Sequence, residues 1–252
     1  MVEIPSPVVG PADTPKRRLA RQALAAVLWD DSGRRRLPRD AELALALSRC
    51  RGEDAWWTCE ASSAGPVYLL PTVEWVSELA SLLASLGVRS VLEVACGDGF
   101  LSRVLAETCP ELNVTATDDA SWTRPSGRMT TKDRAASPGV RFAGIAPEPH
   151  VIRMKAAAAV TTYQPDLVLV SWAPPGTLVD RVIRAPSRLV LDIGVDGDIC
   201  GNGMKTWRFR KEFIDGPVEA LALCRLDAKP AVSRATRLTL YYGAQHPEHG
   251  LE

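Results

Sequence analysis

The residues best suited to chemistry sit together in Val91-Leu92-Glu93-Val94-Ala95-Cys96-Gly97-Asp98-Gly99-Phe100. One carboxylate precedes a glycine turn, and a pair, Asp118-Asp119, follows about twenty residues further on. Gly97 and Gly99 lack a Cβ, so they admit left-handed dihedrals and let a ligand lie against backbone. A carboxylate at the end of a second strand can accept both hydroxyls of a ribose. The chemistry on offer is the binding of a nucleoside-like ligand beside a cluster of negative charge.

Such a cluster needs a strand, a tight turn and a helix to position it. Val91 to Val94 is an apolar run of strand type, and Phe100-Leu101-x-x-Val104-Leu105 has helical spacing. The ligand then lies at the carboxyl edge of a sheet. The stretch resembles the first motif of the Rossmann-like, class I S-adenosylmethionine-dependent methyltransferases, which reads strand, acid, Gly-x-Gly-x-Gly. Ala95 stands where that motif has its first glycine.

The resemblance covers roughly residues 70 to 243 and implies an α/β fold: a mostly parallel, seven-stranded sheet flanked by helices. It implies S-adenosylmethionine as cofactor, with the backbone of Ala95, Gly97 and Gly99 forming the turn. Glu93 is then the acid that helps hold the positively charged methionine end. Its alternative role is that of a helix-neighbour or solvent carboxylate. Asp118 is the ribose acid, with Asp119 as understudy, unless it merely caps a turn. Lys155-Ala156 resembles the third motif, usually an acid followed by alanine, so Lys155 departs from the pattern at the adenine position. Ser171-Trp172-Ala173-Pro174-Pro175-Gly176 follows the fourth strand, and the resemblance puts Ser171 among the cofactor-binding residues. Amino-group methyltransferases carry a polar residue, Pro-Pro and an aromatic there. Ala173 and Gly176 break that match, so base-directed N-methylation is not supported. Trp172 and Pro174 can still wall an acceptor pocket, or Trp172 can be plain core.

The competing enzyme reading is an NAD-dependent oxidoreductase. Dinucleotide sites call for Gly-x-Gly-x-x-Gly, because the diphosphate rests on the start of the helix. Here Ser102 occupies the third position, and an acid before the turn repels a diphosphate. A third reading is a protein that binds S-adenosylmethionine without methylating.

Composition narrows the partners. The chain has 252 residues, 46% of them apolar, and thirty basic residues against thirty acidic ones. A near-neutral chain carries no global field for nucleic acid or membrane. No apolar run approaches the ~18 residues of a membrane span. Met1 to Pro15 lacks an apolar signal core, so a cytoplasmic protein is expected. Six cysteines, at 50, 59, 96, 109, 200 and 224, include no Cys-x-x-Cys pair, which predicts reduced thiols and no metal.

The pattern divides the chain into an N-terminal helical cap, 1-66, and an S-adenosylmethionine-binding methyltransferase domain, 67-252. In the cap, Thr14-Pro15 starts one helix and a second runs from about Asp40 to Arg51. Lys16-Arg17-Arg18 and Arg34-Arg35-Arg36 read as solvated faces. Residues 52 to 70 are turn-rich, and Trp56, Trp57 and Tyr68 either line a cavity or pack the cap. Pro71 opens a helix that Gly87 closes. Strands are expected at 89 to 94, at Leu112 to Thr117, at Asp166 to Trp172 and at Arg188 to Ile193. The region 121 to 141 reads as a long loop. Val218 to Leu226 and Thr236 to Tyr242 suit an antiparallel C-terminal hairpin.

The third strand has two registers. Either Val140 to Ile145 is the strand and His150 follows its carboxyl end, or His150 to Met154 is. The second gives connections of ordinary length, with a helix from Ala156 to Tyr163, and is preferred. It makes His150 structural and enters it at the opposite edge of the sheet from the cofactor. The expected function is methyl transfer to a small-molecule acceptor, in which alignment and exclusion of water do most of the work.

Overall fold

The structure, a computed structural model, describes residues 14–51, 54–59, 66–121, 144–173, 176–194, 206–214 and 237–250. These fall into two compact units. The first takes in the described residues up to Glu74, with 121 and 144–146. The second takes in the rest.

In the first unit, Thr14 caps α1 (Pro15–Leu28) by accepting the Arg17 N–H at 3.4 Å, and Pro15 opens the helix. Leu24 and Leu28 meet Leu43 and Ala46 of α2 (Asp40–Arg49), with Ala55, Cys59, Val67 and Leu70 completing a small core. A third helix, α3 (Asp54–Cys59), occupies part of the stretch that sequence alone reads as turns. It contains Trp56 and Trp57, whose side chains lie outside the described ones. Asp54, fully buried, receives Arg17 at 2.9 Å and Arg21 at 3.3 Å. Arg17 is therefore drawn from the expected solvated face into an ion pair, because a buried carboxylate needs a cation beside it.

The second unit is built on one seven-stranded sheet with order β3-β2-β1-β4-β5-β7-β6. Its strands are β1 (Ser90–Val94), β2 (Asn113–Asp118), β3 (Ile152–Arg153), β4 (Leu167–Ser171), β5 (Leu189–Gly194), β6 (Lys211–Ile214) and β7 (Arg237–Tyr242). The first five are parallel, and β7 runs antiparallel to both β5 and β6. Helices α4 (Val73–Ser85), α5 (Phe100–Thr108), α6 (Ala156–Tyr163) and α7 (Leu178–Arg184) accompany it. The apolar runs of β4 and β5 are buried on both faces, as parallel central strands must be. Leu92, Val94, Val168, Val170 and Val190 share one face and pack with Ala159, Val160, Val179, Val182 and Ile183 of α6 and α7. Each such buried side chain stabilises the fold by about 1.5–3 kcal/mol. By the pleat, Glu93 belongs to the other face, with Val91.

The chain winds from β1 to β2 and β3 on one side, then returns to place β4 on the other side of β1. The sheet's switch point therefore lies between β1 and β4, where open α/β sheets bind ligands outside the strands' carboxyl ends.

One edge differs from expectation, and the other keeps the expected register in a shorter strand. Val218 to Leu226 lies outside the described residues, and β7 pairs instead with Lys211–Ile214. That strand is short, polar and partly exposed, an edge without an apolar run to announce it. The third strand falls within His150 to Met154, as the preferred register has it, while of the alternative only 144 and 145 are described and are not strand. It is only two residues long and pairs Ile152 with Thr117 and Arg153 with Asp118.

Candidate functional site

The residues of the turn after β1 alternate into left-handed backbone: Ala95 at φ 51°, Gly97 at 63° and Gly99 at 82°. The two glycines adopt this freely, whereas Ala95 does so against its Cβ. Gly99 is the N-cap of α5, and its N–H donates to the Cys96 carbonyl at 3.1 Å.

Carboxylates surround the turn and take its N–H groups. Asp118, 6% exposed, accepts from Gly97 N at 3.0 Å through one oxygen and from Ala120 N at 2.7 Å through the other. Asp98 accepts from Phe100 N at 3.1 Å. Glu93, 2% exposed, accepts from Ser102 N at 3.0 Å and from the Ser102 hydroxyl in a short bond. Ser102 is the residue that displaces the third glycine of a dinucleotide motif. Its role as partner of Glu93 is not marked by any motif, although the spacing puts it in the first turn of α5.

Burial pushes the Glu93 carboxyl up to about 8, with Asp98 and Asp118 adding to the rise and the Ser102 hydrogen bonds opposing it. The Cys96 thiol is likewise pushed up, by burial first and then by Glu93, Asp118 and Asp98. It stays a thiol and is no nucleophile. Three acidic side chains, Glu93, Asp98 and Asp118, are thus gathered at one turn.

Sequence placed the remaining residues around this turn. Asp119 follows Asp118 and is the more open of the pair. Lys155, exposed, is the N-cap of α6, one residue beyond Met154, whose N–H donates to the Asp118 carbonyl at 2.9 Å. Ser171 ends β4, on the far side of the switch point from Asp118. Trp172 comes next, half-buried, with φ 54° and its N–H donating to the Ile193 carbonyl at 2.7 Å. A bulky residue held left-handed is a true outlier, and such strain gathers at functional edges. Pro174 lies outside the described residues.

His150 is not at the opposite edge. Because β3 is so short, its start is level with the carboxyl end of β2, and His150 comes in beside the turn. Its Nε2 lies 3.2 Å from the Gly99 carbonyl oxygen. The expectation assumed a strand long enough to cross the sheet. Among the described residues, no group of three or more His, Cys, Asp or Glu side chains is arranged to hold a metal ion, and no helix is long and apolar enough to cross a membrane.

Five parallel strands in doubly wound order, an antiparallel pair at the end and an acid–glycine turn after β1 decide the architecture. This is the Rossmann-like, class I methyltransferase fold. No family model and no curated protein matches the sequence. Among solved structures, the chain is similar to the methyltransferase domain of bacterial CtHen1, at 12% identity over 66% of this chain and 96% of that one, with TM-score 0.39. It is similar to the 23S rRNA methyltransferase ErmE, at 19% identity over 71% of each chain, with TM-score 0.37. A third is the ribosomal protein L11 methylase of Lactobacillus delbrueckii subsp. bulgaricus, at 15% identity over 67% of this chain and 77% of that one, with TM-score 0.34. At such TM-scores the likenesses carry no weight on acceptor or residue roles, which rest on the geometry of this chain.

Proposed function

We propose that this protein binds S-adenosylmethionine at the turn after β1 and transfers a methyl group to a small-molecule acceptor. One observation carries the reading: two N–H groups in the first turn of α5 and one in the turn before it are engaged by the protein's own carboxylates. Phe100 N serves Asp98, Ser102 N serves Glu93 and Gly97 N serves Asp118. In a dinucleotide site those donors and the helix dipole face a diphosphate. A diphosphate here meets three carboxylates where it needs donors. A ligand with a nucleoside at one end and positive charge at the other suits the same groups.

The residues fit that cofactor. When bound, S-adenosylmethionine supplies a methyl group activated by its sulfonium charge. Glu93, Asp98 and Asp118 furnish negative potential for its cationic end. Asp118, with Asp119 beside it, closes β2 where ribose hydroxyls would be accepted. Ala95, Gly97 and Gly99 give close approach of backbone, and Lys155 stands at the adenine end. Ser171, at the end of β4, joins the cofactor side, and Trp172 after it borders the acceptor, where it helps align it and exclude water. The balance of thirty basic and thirty acidic residues supports a small acceptor over a polyanion.

Calorimetric titration with S-adenosylmethionine, S-adenosylhomocysteine and NAD tests the reading. The first two are expected to bind and NAD is not. Tight NAD binding with no response to S-adenosylhomocysteine would overturn it. A protein that binds the cofactor without methylating is the second reading, and release of S-adenosylhomocysteine in the presence of candidate acceptors separates the two.

A further inference from the structure

A segment distant in sequence grips the turn. The Glu148 N–H donates to the Asp98 carbonyl at 2.9 Å, and Val151 N closes a tight turn onto the Glu148 carbonyl at 3.0 Å. Arg103 Nε pairs with Glu148 Oε2 at 3.0 Å, while its guanidinium lies 5.1 Å from the Phe100 ring centre. These contacts carry His150 onto Gly99, where Nε2 meets the Gly99 carbonyl at 3.2 Å. A carbonyl only accepts, so Nε2 carries the proton in this contact. His150 Nδ1 faces Glu148 Oε2 at 3.7 Å. The same Gly99 carbonyl also accepts the Arg103 N–H at 3.1 Å, so both its lone pairs are used. The fit leaves no room for a side chain: a Cβ on Gly99 would lie 2.4 Å from Val151 Cγ2 and 2.9 Å from His150 Nε2.

Resting on the cofactor reading above, we propose that His150 is a positioning residue for the cofactor site: its ring, with Val151, braces Gly99 and holds the turn in its left-handed shape. The shape needs such support. Ala95 resists it, and Asp98 and Asp118 bring two acidic side chains to it beside the buried Glu93. The brace supplies a hydrogen bond and close packing from outside the turn. His150 therefore acts through Gly99.

The test combines S-adenosylhomocysteine titration with amide hydrogen exchange over residues 95–103, in the wild type, His150→Ala and His150→Gln. The ring is 38% exposed, so its removal leaves no core cavity. Loss of one hydrogen bond should weaken binding roughly three- to tenfold and speed exchange in the turn. His150→Gln keeps an N–H donor for Gly99 and should recover both. Unchanged affinity and exchange in His150→Ala, or a Gln variant no better than Ala, would overturn the proposal. If the wild type fails to bind S-adenosylhomocysteine, the cofactor reading falls and the exchange measurements alone decide the brace. Gly99→Ala gives an independent arm. It should loosen the turn further, and adding Val151→Ala, which removes the atom at 2.4 Å, should restore part of the loss. No restoration would count against the packing half of the brace.

Discussion

The Asp118 carboxylate accepts the Gly97 N–H at 3.0 Å and so ties the end of β2 to the turn after β1. Its other oxygen takes Ala120 N, so one side chain fixes both the turn after β1 and the chain leaving β2. Asp118→Ala should therefore weaken S-adenosylhomocysteine by about 1.5–3 kcal/mol, the scale of hydrogen bonds to a charged group. It should also lower stability by about 1–3 kcal/mol, because two N–H groups lose their acceptor. Calorimetry and denaturant titration read the two effects. Unchanged affinity in a folded variant would mean that the ligand does not use the end of β2.

Glu93 gives a pH signature. Its folded-state value is raised, to about 8, above the ordinary 4.5. Between those values the folded protein holds a proton that the unfolded chain has released, so stability falls as pH rises from about 4.5 to about 8. Glu93→Gln should flatten that slope in thermal or denaturant unfolding. Binding a cation favours the ionised carboxyl, so S-adenosylmethionine should release a proton on binding below pH 8 and bind more tightly as pH rises toward it. Calorimetry in buffers of different ionisation heat measures the proton. No proton release in the wild type would remove Glu93 from the cationic end of the ligand.

Much of this was legible in the sequence, and the failures have physical causes. Thr14-Pro15 announced α1 because cap chemistry is local. The apolar runs at Leu167–Ser171 and Leu189–Gly194 announced central strands because burial on both faces favours near-continuous apolar residues, with Asp192 the buried exception. By contrast Lys211–Ile214 is an edge strand held by pairing to β7, and pairing leaves no composition signal. The helix Asp54–Cys59 is about one and a half turns long, too short to show a period. Ser102 and His150 reached the site through contacts set by strand length and helix phase. Neither can be read from residue types alone.

Ala95 is the one non-glycine in the turn with a left-handed φ, at 51°. That conformation costs an L-residue about 1–2 kcal/mol. Glycine removes the cost but loses about 0.5–1 kcal/mol through the freer unfolded chain. Ala95→Gly should thus stabilise the protein by about 0.5–1 kcal/mol, seen as a higher denaturant midpoint at unchanged slope. A destabilised Ala95→Gly would show that the Cβ makes a contact worth more than the strain.

Trp172 combines strain with a place at the end of β4, beside the switch point where the proposed acceptor would lie. Its φ of 54° follows directly on Ser171, and its N–H is pinned to the Ile193 carbonyl at 2.7 Å, so the backbone cannot relax without breaking the bond to β5. Two variants separate strain from packing. Trp172→Ala loses the indole and keeps the left-handed cost, whereas Trp172→Gly loses the indole and sheds the cost. The glycine variant should be more stable than the alanine variant by about 1 kcal/mol. Both should bind S-adenosylhomocysteine as the wild type does, since Trp172 is not among the proposed cofactor residues. Both should lose most methyl transfer to acceptor, measured as S-adenosylhomocysteine release. Trp172→Phe, which keeps an aromatic wall, should retain more of it than either. If the alanine and glycine variants turn over acceptor at the wild-type rate, the strain at Trp172 serves packing at the end of β4, and the acceptor is aligned by other residues.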